Sequence, residues 1–211
     1  MTKVTLRFHE YDFPATGEPP WSGSVDRWYQ LDAPGFGLAD AAFHWKTSNE
    51  PAKISAKEGP NLLLLASPKA SNSSDVRFAQ EGASSPSRFV HTLPNVRASA
   101  FCQVLGWKGP LLCLQKDPQT VVSSLKEAEL LLGSRYPRIW VIGVRETTFL
   151  RSESYLFEMS WQSANTETAF TLSLEEATTD QALFERIQSH KGRGNLALQL
   201  DTGTASKPNA S

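Results

Sequence analysis

Apolar and polar positions alternate at the amino terminus, where Val4, Leu6 and Phe8 fall on one side of the chain and Thr5 and Arg7 on the other. A period of two predicts a strand with one buried face. Residues 14–23 are rich in Pro and Gly and break any regular element, and the aromatics Trp21, Trp28, Tyr29, Phe36, Phe43 and Trp45 follow among turns and short helical pieces. Large rings supply packing area in a stretch poor in Leu and Ile, so these side chains are expected in the core. Residues 61–67, NLLLLAS, are apolar at successive positions and bounded by Gly59-Pro60 and Pro68, which predicts an interior strand covered on both faces. Residues 67–87 are polar and Ser/Asn-rich, predicting a loop around one short helix near Val76 to Gln80.

Asn95 is a capping residue for a helix running to about Leu105, stopped by Gly106, and Gly109-Pro110 turns the chain into a short strand from Leu111 to Leu114. Asp117 then predicts a helix cap with Pro118 in the first turn, and Val121, Leu125, Ala128 and Leu132 recur at helical spacing before Gly133. Residues 139–144, IWVIGV, form a further two-face-buried strand. Strand, helix, strand, helix, strand predicts an α/β chain with a mostly parallel mixed sheet flanked by helices. Beyond it, residues 155–161 and 170–174 read as two strands of a hairpin or a sheet excursion. Residues 175–190 read as a helix with Ala182, Leu183 and Ile187 inward, and Leu196, Leu198 and Leu200 as a last strand. The organisation expected is a single domain over residues 1–200 and a disordered tail over 201–211.

Composition narrows the function. A chain of 211 residues with 40 % hydrophobic and 20 % charged residues is an ordinary globular one, and a net charge of −1 removes any global case for nucleic acid. No apolar run approaches a membrane span. Cys102 and Cys113 are the only cysteines and four histidines are scattered, so neither a metal site nor a disulfide scaffold is indicated, no cofactor is expected, and a reducing, cytoplasmic setting is the reading. Both cysteines are expected as buried packing thiols. Charge is uneven: residues 61–152 carry eleven Lys/Arg against six Asp/Glu. A basic centre suits an acidic partner, although charges spread over solvated loops give the same count.

Ser85-Pro86, Phe89, Pro94-Asn95 and Gly109-Pro110, in that order before a short strand, resemble the ketosynthases of the thiolase-like superfamily. The helix after Pro118, the strand ending Gly143-Val144, and Thr168-Ala169-Phe170-Thr171-Leu172 continue the resemblance. It implies a layered thiolase-like half-fold. In that family the strand after Gly-Pro ends in a cysteine at the amino terminus of a helix, which lowers its pKa. Here the matching position is Pro118, with Asp117 or Gln119 one residue either side, and none is a thiol. Proline has no N–H for an oxyanion hole, and Asp117 repels developing negative charge. The family's histidine pair and lysine belong to a second repeat that follows the region matched here.

The resemblance therefore implies a nucleophile-less subunit similar to the chain-length factors, inactive alone and paired with a full-length ketosynthase in type II fatty-acid or polyketide biosynthesis. An acyl carrier protein is a further partner for the basic segment. The contact implied involves Arg88, His91, Asn95, Leu111, Leu112, Cys113 and Leu114. A half-fold also leaves an apolar face that a partner, or the aromatics of the first fifty residues, must cover. Two alternatives stand beside it. One is a small acyl-transfer or hydrolytic enzyme using a serine or Cys113 with His91, although His91 has no acidic or thiol partner at supporting spacing and reads first as a structural hydrogen bond. The other is a standalone interaction protein.

Overall fold

The run LLLLA is apolar on both faces and is buried on both. In a computed structural model describing residues 2–12, 17–47, 61–67, 78–80, 82, 94–116, 118–148, 151–161, 170–174, 176–189 and 196–201, no residue of Leu62–Ala66 is more than 1 % exposed. The chain runs β1 (Thr2–Asp12), two 3-10 turns (Ser22–Ser24 and Trp28–Gln30), α1 (Ala33–Thr47), β2 (Leu62–Ala66) and α2 (Pro94–Leu105). There follow β3 (Leu111–Leu114), α3 (Thr120–Leu131), β4 (Arg138–Thr148), β5 (Arg151–Trp161), β6 (Phe170–Ser173), α4 (Asp180–Gln188) and β7 (Leu196–Asp201).

The seven described strands form one mixed sheet in the order β3-β2-β4-β5-β1-β7-β6. β2 pairs in parallel with β3 and β4, and β6 with β7, while β5 runs antiparallel to β4 and β1, and β1 antiparallel to β7. The expected strand-helix alternation from β2 to β4 is present, and each parallel pair, β6 with β7 included, is joined through a connection that carries a helix.

Pleating sends alternate residues to two layers. Leu62, Leu64 and Ala66 join Ile139, Val141, Tyr155, Phe157 and Met159 against α3 and α4. Leu63 and Leu65 join Trp140, Ile142 and Leu156 against α1 and α2. The amino-terminal alternation holds as well, with Val4 and Leu6 buried and Phe8 packed beside them.

The aromatic segment covers the second face. Trp21, Phe36 and Trp45 are buried against it, whereas Tyr29 is 66 % exposed and contributes little. Helix α1 is apolar and small-sided nearly all round, as a buried helix must be. Its Gly37 lies so close to Ser152 on β5 that a Cβ would collide with the Ser152 hydroxyl. Two polar ties fix α1. Arg97 of α2 donates through Nε (3.0 Å) and Nη2 (2.7 Å) to Asp32 Oδ2, whose Oδ1 accepts from the Gly35 amide at 2.9 Å. Further along, Asp40 takes the His9 ring N–H of β1 at 2.8 Å and the Trp21 indole N–H at 3.0 Å. Burial works to raise the Asp40 pKa, but these hydrogen bonds and the nearby imidazoles outweigh it and hold the carboxyl below its usual range.

Three expectations are corrected. Residues 155–161 and 170–174 are not hairpin partners: β5 has both edges occupied, by β4 and β1, and β6 lies at the far edge beside β7. The helix placed over residues 175–190 is confined to Asp180–Gln188, capped by the Thr179 hydroxyl accepting from the Ala182 amide, and Phe184 joins Leu183 and Ile187 on its buried side. Helix α2 begins at Pro94, so Asn95 is an exposed residue of its first turn and not its cap. Most of the expected 67–87 loop, Val76 included, lies outside the described residues, as do Thr168, Ala169 and the tail after Asp201.

Two predictions follow from this packing. Leu125 is fully buried on α3 and Leu130 is 62 % exposed. Leu125→Ala is therefore expected to cost about 2–5 kcal/mol through lost transfer energy and a cavity, and Leu130→Ala less than about 0.5 kcal/mol. Denaturant melts giving the reverse order would contradict the inward face of α3. The second concerns Asp40, whose lowered pKa means that its contribution is present above the unfolded value of about 4 and is lost as pH falls through the folded value. The stability difference between wild type and Asp40→Asn is expected to be flat near neutrality and to shrink below about pH 4. A difference that grew on acidification would contradict the lowered pKa.

Candidate functional site

The turn between β3 and α3 holds the position at which the resemblance implies a nucleophile. Pro118 and Gln119 are described there, and Asp117 lies outside the described residues. The helix does not start as the sequence suggested. It begins at Thr120 with Gln119 as N-cap, and the Gln119 side chain makes no capping hydrogen bond. Pro118 sits in the turn before the helix. Nearby, the Thr120 hydroxyl accepts from the Lys116 amide at 2.7 Å and the Gln119 amide donates to the Lys116 carbonyl at 2.7 Å.

The cap comes from a distant residue. The Val121 amide donates to both oxygens of Asp180, each at 2.9 Å, and the Val122 amide donates to Asp180 Oδ1 at 3.0 Å. In return the Asp180 amide donates to the Pro118 carbonyl at 2.9 Å. The first amides of a helix have no partner inside it, and their aligned dipoles favour an anion. Asp180, 5 % exposed, supplies that anion from the head of α4. The amides that would otherwise face a bound anion or an oxyanion are thus taken by the protein's own carboxylate. Gly143 of β4 makes the approach possible, since a Cβ there would stand 3.1 Å from Val121 Cγ2.

Four of the expected contact residues, Leu111, Leu112, Cys113 and Leu114, make up β3. This four-residue strand ends the sheet, and among the described strands only β2 pairs with it. Leu111 and Leu114 are half-buried, Leu112 is 46 % exposed, and Cys113 is exposed. The expectation of a buried Cys113 is corrected: a short apolar run does not reveal whether a strand is central or at an edge. Lys108 and Lys116, both exposed, flank the strand. Behind it, Trp107 packs edge-on to Trp140, and Gly109 lies so close to the Trp107 ring and the Asn61 carbonyl that a side chain would not fit. Asn95 is exposed on the first turn of α2, and Arg88 and His91 lie outside the described residues with Ser85, Pro86 and Phe89.

Neither described thiol is activated. Burial pushes Cys102, half-buried in α2, up to about 11, and the charge that Cys113 would carry adds to the effect. Burial also raises Cys113. The described hydrogen-bond cluster most like catalytic machinery was not foreseen: His9 and Asp40 lie 31 positions apart, and the His44 ring stacks on His9 at 5.4 Å. One Asp40 oxygen joins β1 to α1 through His9 and the other accepts from the Trp21 indole N–H, and Tyr11 beside it is pushed up to about 12 by burial and by the Asp40 charge, so it stays protonated. A second cluster lies under α4, where the Tyr155 hydroxyl donates to buried Glu153 at 2.7 Å and its ring stacks on Phe184. No group of three potential metal ligands occurs among the described residues.

No family model matches the chain, and no curated protein matches its sequence. Solved structures do. One is a chain of the ketosynthase (ApeO) in complex with its chain length factor (ApeC) from Xenorhabdus doucetiae, with a TM-score of 0.53 at 10 % identity over 81 % of this chain and 85 % of that chain. Another is the ishigamide ketosynthase/chain length factor, with a TM-score of 0.52 at 16 % identity over 71 % of this chain and 47 % of that chain. The chain therefore spans about half the length of the second. The fold is the thiolase-like one of ketosynthase and chain-length-factor subunits, as the resemblance implied.

Removing the distant cap is expected to be costly. Asp180→Ala leaves two buried amides without partners, at about 1–3 kcal/mol for each donor, and Asp180→Asn retains one acceptor and is expected to cost less. Urea unfolding of the two variants checks the order. An Asp180→Ala loss below about 0.5 kcal/mol, the scale of a neutral surface change, would contradict the described cap.

Proposed function

We propose that this chain is a non-catalytic, chain-length-factor-like subunit that pairs with a full-length ketosynthase in type II fatty-acid or polyketide assembly. The observation that carries the reading is the turn before α3, which has no thiol at Pro118 or Gln119 and whose helix amides are occupied by Asp180. A thioester carbonyl placed there meets no thiol at Pro118 or Gln119 and finds the Val121 and Val122 amides taken, and a buried carboxylate opposes the charge that acyl transfer develops. The Asp117 side of the turn carries no thiol either.

Pairing is supported by the similar structures, which are ketosynthases with chain length factors, and by the open edge of β3. A short strand flanked by lysines resists indiscriminate edge pairing and admits a partner that offers complementary backbone and acidic side chains. Leu112 supplies the apolar centre and Leu111, Cys113 and Leu114 the strand. Arg88, His91 and Asn95 extend the proposed contact along the segment before and into α2. The acyl carrier protein is assigned to the basic central segment. Among the described residues no helix is long and apolar enough to cross a membrane, and we assign the chain to the cytoplasm on its low cysteine content, two in 211 residues. The alternative enzyme using Cys113 and His91 is disfavoured by burial, which moves the Cys113 thiol away from the reactive thiolate.

The purified chain with malonyl- and acyl-loaded carrier protein is expected to show no acyl adduct by intact mass. A stoichiometric adduct lost on Cys113→Ser would replace this reading with the enzyme one. Mixed with the ketosynthase from the same source, the chain is expected to co-elute as a heterodimer by light scattering, with an interface above about 1,000 Å². Leu112→Glu is expected to weaken the pair at least about tenfold, equivalent to about 1.4 kcal/mol, with unchanged circular dichroism. Two monomeric peaks at concentrations well above those of a stable complex would leave the standalone reading.

A further inference from the structure

We propose that Cys102 and Cys113 form a dithiol–disulfide couple that staples the edge strand β3 to helix α2. Three placements converge on it. The parallel register sets Leu111 beside Leu63 and Cys113 beside Leu65. Leu63 and Leu65 face the α1/α2 layer, and neighbours in register share a face, so Cys113 is directed to the α2 side of the sheet while Leu112 and Leu114 are directed to the other. On α2, Ala98, Cys102 and Leu105 follow one another at spacings of four and three and share a face. Cys102 packs, with Leu111 and Trp107, against the same apolar cluster.

The connection is short and anchored at the first cysteine. Gly106 turns the chain with φ +70°, and the Trp107 amide donates to the Cys102 carbonyl at 2.8 Å before the chain enters β3. The charge that Cys113 would carry raises the Cys102 pKa, in agreement with this proximity. Cys113, exposed at the edge, is the residue that an oxidant reaches first, its raised pKa making the exchange slow, and half-buried Cys102 is the resolving one.

The oxidant is a low-molecular-weight disulfide. Cys113 loses its proton and its sulfur displaces one thiolate from the oxidant, giving a mixed disulfide. Cys102 then loses its proton, attacks the Cys113 sulfur and expels the second thiolate. Both thiol protons end on the two small thiols released, and the chain has lost two hydrogens. The bond closes a short loop and holds a four-residue edge strand in its β2-paired form. Resting on the partner reading above, this pre-organises β3 for docking and lowers the ordering cost that a partner must offset.

The test uses the full chain under native conditions with oxidised glutathione. The wild type is expected to lose two hydrogens, retain no glutathione, yield a peptide cross-linked between Cys102 and Cys113, and melt several degrees higher. Cys102→Ser is expected to retain one glutathione on Cys113 and gain no thermal stability. Wild type that keeps glutathione on Cys113 as the Cys102→Ser variant does, or that cross-links only between chains, would overturn the couple. This readout needs no ketosynthase, so it stands apart from failure of the partner reading. Where the ketosynthase binds, the oxidised chain is expected to dissociate several-fold more slowly than the reduced chain, and equal rates would overturn the effect on docking.

Discussion

A strand buried on both faces sets the terms for this fold. β2 consists of Leu62, Leu63, Leu64, Leu65 and Ala66, and none of them reaches water. Such a strand is stable only between two apolar layers, each with its own helices. On one side α3 and α4 provide Val121, Leu125, Ala128, Leu183 and Phe184; on the other, α1 and α2 provide Phe36, Leu38, Ala98 and Phe101. The second layer includes Trp140 of β4 together with Trp21 and Trp45, so the aromatic segment covers that face. With both faces covered, β3 remains as an open strand edge beside the turn into α3.

That turn concentrates the functional question. A helix amino terminus at the end of a parallel strand is a natural anion site, and it serves acyl chemistry when a thiol and free amides meet there. Here Asp180 occupies the Val121 and Val122 amides, and the same contact ties α4 to α3. One carboxylate thereby caps α3 and braces two helices.

The elements readable from sequence were those whose signal is local. The leucine run, the alternation of Val4, Leu6 and Phe8, and the stripe Val121, Leu125, Ala128 and Leu132 each announce their burial through spacing alone. What escaped was decided by distant contacts. Asp117 and Pro118 look like a helix start, yet the cap is Asp180, 59 positions from Val121. Residues 155–161 and 170–174 resemble a hairpin because they adjoin in sequence, but β5 is already flanked by β4 and β1. Cys113 looked buried because an apolar tetrapeptide reads alike at the centre and at the edge of a sheet. The joining of His9 to Asp40 had no local pattern at all.

Hydrogen–deuterium exchange at the β3 amides, in the chain alone and mixed with its ketosynthase, tests the partner role most directly. Pairing through the open edge predicts slowed exchange across Leu111–Leu114, with the interior amides of β2 unchanged. Formation of a complex that left exchange in β3 as fast as in the free chain would contradict the account.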